Sequence, residues 1–199
     1  MLKHLTPADY SLSHWSGGST TQIAIAPPDA LYADRAFLWR LSSATVELEE
    51  SDFTPLPDYN RLIASLSGTM TLSHNGGAPL FLAPYAVHAF DGADRTHSLG
   101  RCVDFNLMLR KEQCRGTMEA LSVRSETPLV LQSPFGPTAS LLLYCAEGSG
   151  ELRADGETAS LRAGETVFLD CVGNASPSLS GTSPSVFMCA WVADHPALP

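Results

Sequence analysis

At 199 residues, with 44% hydrophobic and 17% charged side chains, the chain has the composition of a packed globular protein of one large or two small domains. Its net charge of −9, with Arg110-Lys111 as the nearest approach to a basic cluster, argues against nucleic-acid and anionic-membrane partners. No apolar run approaches a membrane span, and the start Met1-Leu2-Lys3-His4-Leu5-Thr6-Pro7 lacks the apolar middle of a secretory signal, so a cytoplasmic location is expected.

In chain order, short runs rich in Val, Leu, Phe and Thr occupy 21–26, 37–48, 61–66, 69–74, 80–82, 101–109, 140–146, 151–154, 159–161, 166–169 and 185–192. Gly, Pro, Asn and Asp punctuate them, which predicts an all-β sandwich or barrel, with a short, poorly capped helix around 112–121 as the exception. Asn75-Gly76 and Asp155-Gly156 each stand between two such runs, the signature of a tight hairpin turn that needs positive φ. Run 101–109 carries the strongest strand signal. Val103, Phe105, Leu107 and Leu109 fall on one face, and Cys102, Asp104, Asn106 and Met108 fall on the other. The second face sets a carboxylate and an amide between two sulfur side chains. It suits either a cavity holding water or ligand, or a buried polar network satisfied by the fold itself. The five cysteines form no C-x-x-C pair, and Cys102, Cys145, Cys171 and Cys189 lie in or beside apolar runs; all are read as buried thiols.

The chain also looks duplicated. An offset of 80 residues brings Gly68 onto Gly148, Leu72 onto Leu152, Gly76 onto Gly156, Pro84 onto Gly164 and Val87 onto Val167 without a gap. The phrase Gly148, Asp155-Gly156, Leu161-Arg162-Ala163-Gly164-Glu165, Phe168 is similar to the cupin pattern. In the first half, five segments occur in the order and spacing of the HutD/Ves family: 14–23 (HWSGGSTTQI), 37–44 (FLWRLSSA), 52–61 (DFTPLPDYNR), 90–92 (FDG) and 104–108 (DFNLM). The chain resembles that family closely over 12–110 and more loosely afterwards. It departs in having only Ser16-Gly17-Gly18-Ser19 where relatives carry a longer polar run, and Asn60 stands where they commonly have a hydrogen-bonding acid or amide.

The resemblance implies an all-β, double-stranded β-helix (jelly-roll) bicupin of the RmlC-like type, with two cupin barrels packed together. The domains are expected at 1–118, holding a ligand pocket, and 119–199, without an obvious site. It further implies a protein with no established enzymatic activity, associated in some bacteria with histidine utilisation, where restraint through a small metabolite has been suggested, or with a stress-associated branch. Most cupin enzymes hold a metal through a His-x-His pair, which this chain lacks. His88 stands where a third ligand would sit, His74 and His97 are nearby, and the position matching His88 in the second copy is Phe168. No metal and no cofactor are expected. No G-x-S-x-G elbow or paired acid points to catalysis either.

What remains suits a small anion. Arg40 and Ser42 share one strand face, matching the split at Asp104 and Asn106, and Arg61 opens another strand. The planar guanidinium fits a carboxylate bidentately, although Arg40 could pair with Asp104 and Arg61 with Asp58 in the absence of any ligand. Trp15, Thr20 and Phe90 add aromatic and hydroxyl contacts. The candidate ligand-binding set is therefore Arg40, Arg61, Asn106, Asp104, Trp15, Thr20, Ser42, Phe90 and His88. The expected partner is a small carboxylate-bearing metabolite such as urocanate or formylglutamate and, at most, a second copy of the chain. A metal-dependent cupin lyase, isomerase or dioxygenase around His88, and a structural or partner-binding module, stay open as alternatives.

Overall fold

The structure is a computed structural model that describes residues 1–124, 127–173, 176–181 and 184–195. After β1 (Leu2–Leu5) come β2 (Ser11–Trp15), β3 (Gly18–Ala26), β4 (Trp39–Val46), β5 (Glu50–Asp52), β6 (Tyr59–Gly68), β7 (Met70–His74), β8 (Leu80–Leu82), β9 (His88–Asp91), β10 (Thr96–Leu99) and β11 (Cys102–Arg110). Then follow β12 (Cys114–Val123), β13 (Leu129–Val130), β14 (Ser140–Glu147), β15 (Ser149–Ala154), β16 (Glu157–Arg162), β17 (Thr166–Leu169), β18 (Ser178–Gly181) and β19 (Ser185–Asp194). Among the described residues the only helices are two 3₁₀ turns, Pro7–Asp9 and Tyr32–Asp34, and none is long and apolar enough to cross a membrane.

The chain divides into two compact units, Tyr10–Cys114 and Met1–Asp9 with Arg115–Pro199. The first nine residues thus go with the C-terminal half, because β1 pairs antiparallel with β17 and extends its sheet. In the first unit a six-stranded sheet, β2-β3-β4-β11-β6-β9, faces a four-stranded one, β5-β10-β7-β8. Val46, Ile63, Phe90 and Cys102 from the former meet Met70, Leu72 and Leu82 from the latter in one apolar cluster, the jelly-roll arrangement of two antiparallel sheets. The second unit repeats it with β1-β17-β14-β19-β12 and β13-β18-β15-β16.

The repeat extends to local devices. Asn75-Gly76 and Asp155-Gly156 occupy equivalent turns at φ 54 and 74 and φ 49 and 79, the consecutive positive values of a type I′ hairpin. A bulge leaves Leu66 unpaired between Ser65 and Ser67, and 80 residues on another leaves Ala146 unpaired between Cys145 and Glu147. Ser65 Oγ donates to the Ser67 carbonyl, and Cys145 Sγ to that of Glu147. The register is not gapless throughout. Leu72 pairs with Leu80 but Leu152 with Ala159, so the first hairpin is one residue longer and equivalence slips to an offset of 79 beyond it. His88, opposite Ile63, therefore corresponds to Val167, opposite Leu143, and not to Phe168.

Two further expectations are corrected. Residues 112–121 form no helix: Glu112, at φ 62, turns the chain after β11, and the segment continues as β12 at the sheet edge beside β19. Pairing within the sheet overrides its weak helical leaning. Cys171 is exposed, at φ 47 just past β17, while Cys102, Cys114, Cys145 and Cys189 are buried free thiols.

Candidate functional site

Antiparallel register sets the inward residues of the six-stranded sheet in rows, because directly opposed residues share a face. One row runs Arg40, Met108, Arg61, Phe90; the next Gln22, Ser42, Asn106, Ile63, His88; the next Thr20, Ala44, Asp104, Ser65. Over these rows lies a cavity of about 330 Å³. Arg40, Ser42, Arg61, Asp104, Asn106 and Met108 line it from the sheet, with Thr20, Trp15, Tyr32 and Phe53 around them.

Seven of the nine candidate residues therefore meet at one space. Phe90 and His88 do not line it. Phe90 backs Arg61, its ring centroid 5.1 Å from the guanidinium carbon. His88 stacks on His74, their Nε2 atoms 3.0 Å apart, while His74 Nδ1 lies 2.9 Å from Thr96 Oγ1. A search for histidines at strand spacing misses this pair, because β7 and β9 lie in opposite sheets. Among the described residues no group of three His, Cys, Asp or Glu is placed to hold a metal ion.

The two arginines differ in kind. Arg40, 4% exposed, donates from Nε to Gln22 Oε1 at 2.8 Å and from Nη1 to Ser42 Oγ at 3.0 Å, and lies over the Tyr32 ring at 4.4 Å. It is held by its own fold, by partners other than Asp104. Arg61, 7% exposed, has no Nε partner among the described residues and no ion pair with Asp58; its guanidinium lies over the adjoining rings of Phe53 and Phe90 at 4.8 and 5.1 Å. Burial pushes its pKa down to about 10 despite the attraction of Asp104. Burial likewise pushes Asp104 up to about 7, against Arg61, the Ala44 N–H and Arg40. Desolvation outweighs attraction at both ends. Asn106 Oδ1 is also buried without a hydrogen-bond partner among the described residues. Folds rarely leave such groups orphaned, and here a donor and an acceptor are orphaned on one cavity.

The second unit shows that the fold itself does not demand them. Arg61 corresponds to Leu141, and the β11 residues Asp104, Asn106 and Met108 correspond to Phe187, Cys189 and Trp191, by their pairing with β14. All four are buried in a continuous apolar core. A larger concavity of about 470 Å³ on that unit is lined by the outward-facing Ser149, Glu151, Arg153, Ser160, Arg162 and Ser180. Arg153 there is already paired with Glu151 at 3.1 Å. Size alone would favour that surface; the buried, unpaired groups favour the first unit.

Sequence reasoning missed Gln22, Tyr32 and Phe53. Tyr32 reaches the cavity from the 3₁₀ turn Tyr32–Asp34, and no strand periodicity could flag it. Gln22 and Phe53 stand inside the motif segments 14–23 and 52–61, the one signal that could have drawn notice to them.

No curated protein matches the chain. Among solved structures, a conserved protein of unknown function from Pseudomonas aeruginosa PAO1 is 26% identical, with a TM-score of 0.84 over 97% of this chain and 99% of that one. HutD from Pseudomonas fluorescens SBW25, in a formate condition, is 23% identical, with a TM-score of 0.77 over 98% and 99%. A cupin 2 conserved barrel domain protein from Leptotrichia buccalis is 10% identical, with a TM-score of 0.58 over 96% of each chain, a likeness of jelly-roll cupin fold alone. The HutD family profile matches residues 7–186, more than half of the sequence, and the chain belongs to the HutD family.

Proposed function

We propose that the Tyr10–Cys114 unit binds a small carboxylate-bearing metabolite in the cavity over β4, β11 and β6, and that the protein is a cytoplasmic, non-enzymatic modulator of histidine utilisation or of a stress response. The observation that carries this reading is Arg61, a buried residue lining the cavity, with its Nε unpartnered among the described residues, in a fold whose other copy has leucine there. A carboxylate supplies the missing acceptors through charge-assisted hydrogen bonds, which gain strength where water is excluded. The P. fluorescens HutD structure in a formate condition is in keeping with a carboxylate ligand. The test is a thermal-shift screen over urocanate, formylglutamate, histidine, formate and unrelated carboxylates, since a ligand that binds only the folded state raises Tm. A Tm that rises with one carboxylate in the wild type and not in Arg61→Met supports the reading; no shift with any of them refutes it.

The alternative of an enzyme site around His88 has one observation in its favour, the convergence of the His74 and His88 Nε2 atoms. Stoichiometric metal in protein purified without a histidine tag, lost in His88→Ala, would promote it.

A further inference from the structure

The four sheets end in eight edge strands, two apiece, and among the described residues β2 alone is unguarded. Edges are ordinarily kept from pairing with another chain by brevity, charge or proline. β9 is four residues long and ends at Asp91, bound to Lys111, and β5 carries Glu50 and Asp52. β8 has three residues between Pro79 and Pro84, and β13 has two behind Pro128. β1 holds Lys3, β12 holds Arg115 and Glu119, and β16 holds Glu157 and Arg162. β2, Ser11-Leu12-Ser13-His14-Trp15, contains no Lys, Arg, Asp, Glu or Pro, and all five residues are exposed, Leu12 at 60%. On the side away from β3 it has no strand partner among the described residues.

We propose that β2 is a pairing edge for a second copy of this chain, joined antiparallel about a two-fold axis at Ser13 so that two six-stranded sheets become one. Full overlap of the two strands sets Leu12 against the partner's His14, Ser11 against the partner's Trp15, and Ser13 against itself. Main-chain N–H and C=O groups that an edge strand leaves to water are exchanged between the copies, and no acid meets an acid. That last property selects the occupant. At a net charge of −9 two copies repel over most of their surfaces, and they meet where charge is absent from both sides. Two strands of this length, each about 17 Å, by themselves bury less than the roughly 1,200 Å² of a stable complex, so the dimer is reversible and forms at high concentration. Pairing through main-chain groups does not depend on what the cavity holds. It does bear on the cavity's shape: Ser13 and Trp15 line it, and because opposed residues share a face, the partner's Ser11, Ser13 and Trp15 continue that wall across the axis.

Sedimentation velocity on the full chain, from micromolar to millimolar concentration, tests this. The wild type is expected to move from monomer toward dimer as concentration rises. Leu12→Lys, which puts a guarding charge at an exposed edge position, is expected to stay monomeric throughout. A wild type that remains monomeric would overturn the self-pairing, and a dimer that forms equally in Leu12→Lys would overturn β2 as its surface. Oxidative cross-linking reads the register, in a Cys171→Ser background that removes the exposed native thiol. Ser13→Cys sets two thiols directly opposed at the axis, about 5 Å apart at Cβ, whereas Leu12→Cys sets them on a diagonal at roughly 7–8 Å, so about fivefold more covalent dimer is expected from Ser13→Cys. Equal yields from the two would overturn the axis at Ser13. Should Leu12→Lys fail to fold by circular dichroism, the cross-linking pair decides.

Discussion

Replacing Arg61 by methionine keeps most of the stem volume and removes the buried charge, so it separates a cation held for a ligand from one held for the fold. The drop from the ordinary guanidinium value to about 10 means that burial disfavours the charged form by about 3 kcal/mol. A depressed base carries this penalty in full at every pH below about 10, because there the side chain is protonated in both folded and unfolded chains. Opposing it are the contacts with Phe53 and Phe90, worth about 1–2 kcal/mol each when desolvated. The two effects nearly cancel. Asp104, with a folded pKa of about 7, is already mostly neutral at pH 6.5 and becomes more so when its main attraction is lost, so no unpaired anion is left behind. Arg61→Met should therefore leave the stability of the ligand-free protein within about 1 kcal/mol of wild type, read from urea denaturation at pH 6.5. The carboxylate giving the largest shift in the thermal screen, at 100 times its Kd, should add about 2.7 kcal/mol to the wild type and nothing to the variant. A loss above about 3 kcal/mol without ligand would show the guanidinium to be structural; an unchanged ligand shift would show that it does not touch the anion. Either result refutes the site.

Asp104 gives a pH signature. Burial raises its folded pKa from 3.8 to about 7, so its contribution to stability is intact below about pH 4 and is lost as the pH rises through 7. Between pH 4 and 8 wild type should lose about 4 kcal/mol more than Asp104→Asn, and parallel urea-derived stability profiles would count against the assignment. Gly68, at φ 80, would bring a Cβ onto the Arg101 carbonyl, whereas Gly76, at φ 74, has open space. Gly68→Ala should thus cost roughly 2–4 kcal/mol and Gly76→Ala only about 1, compared by thermal denaturation. The hydroxyl of Tyr59, 1% exposed, donates among the Phe37 and Arg35 carbonyls at 2.9 and 3.0 Å and accepts from Arg110 Nη1 at 3.3 Å. Tyr59→Phe should cost about 1–3 kcal/mol in the same measurement by leaving those groups unpaired; no loss would mean that they find other partners.

Much of the fold was legible wherever a strand is long and half apolar. Run 101–109 shows its two faces in period two, and β11 carries them at Cys102–Arg110; runs 80–82 and 166–169 match β8 and β17. β2 was invisible because all five of its residues are exposed, leaving no alternation to detect. β5 and β10 are short and polar, and are defined by pairing with each other and with β7. The cavity was legible in the same measure. Arg40, Ser42, Asp104 and Asn106 could be read from alternation, whereas Tyr32 arrives from a turn and Phe53 from the segment just after β5, positions that only the folded chain path assigns.

The comparison that best separates a binding site from a buried polar network was also the one the sequence concealed. Offset by 80, Asn106 falls on Val186, on the opposite face of β19, and the two copies seem merely to differ. In the fold the equivalence drifts: 80 on β6, 79 on β9, 81 on β10 and 83 on β11, from the pairings of Leu72 with Ser98 against Leu152 with Leu179, and Ile63 with Asn106 against Leu143 with Cys189. Because side chains alternate, an odd slip exchanges inside for outside. Corrected for it, Asp104, Asn106 and Met108 stand where the other copy packs Phe187, Cys189 and Trp191, and Arg61 where it packs Leu141. Two copies of one architecture solve the same interior, one by filling it with apolar volume and the other by keeping a cavity lined with two arginines, an acid and an amide. The apolar solution closes the interior without any desolvation cost, a cost that the polar one carries at both Arg61 and Asp104.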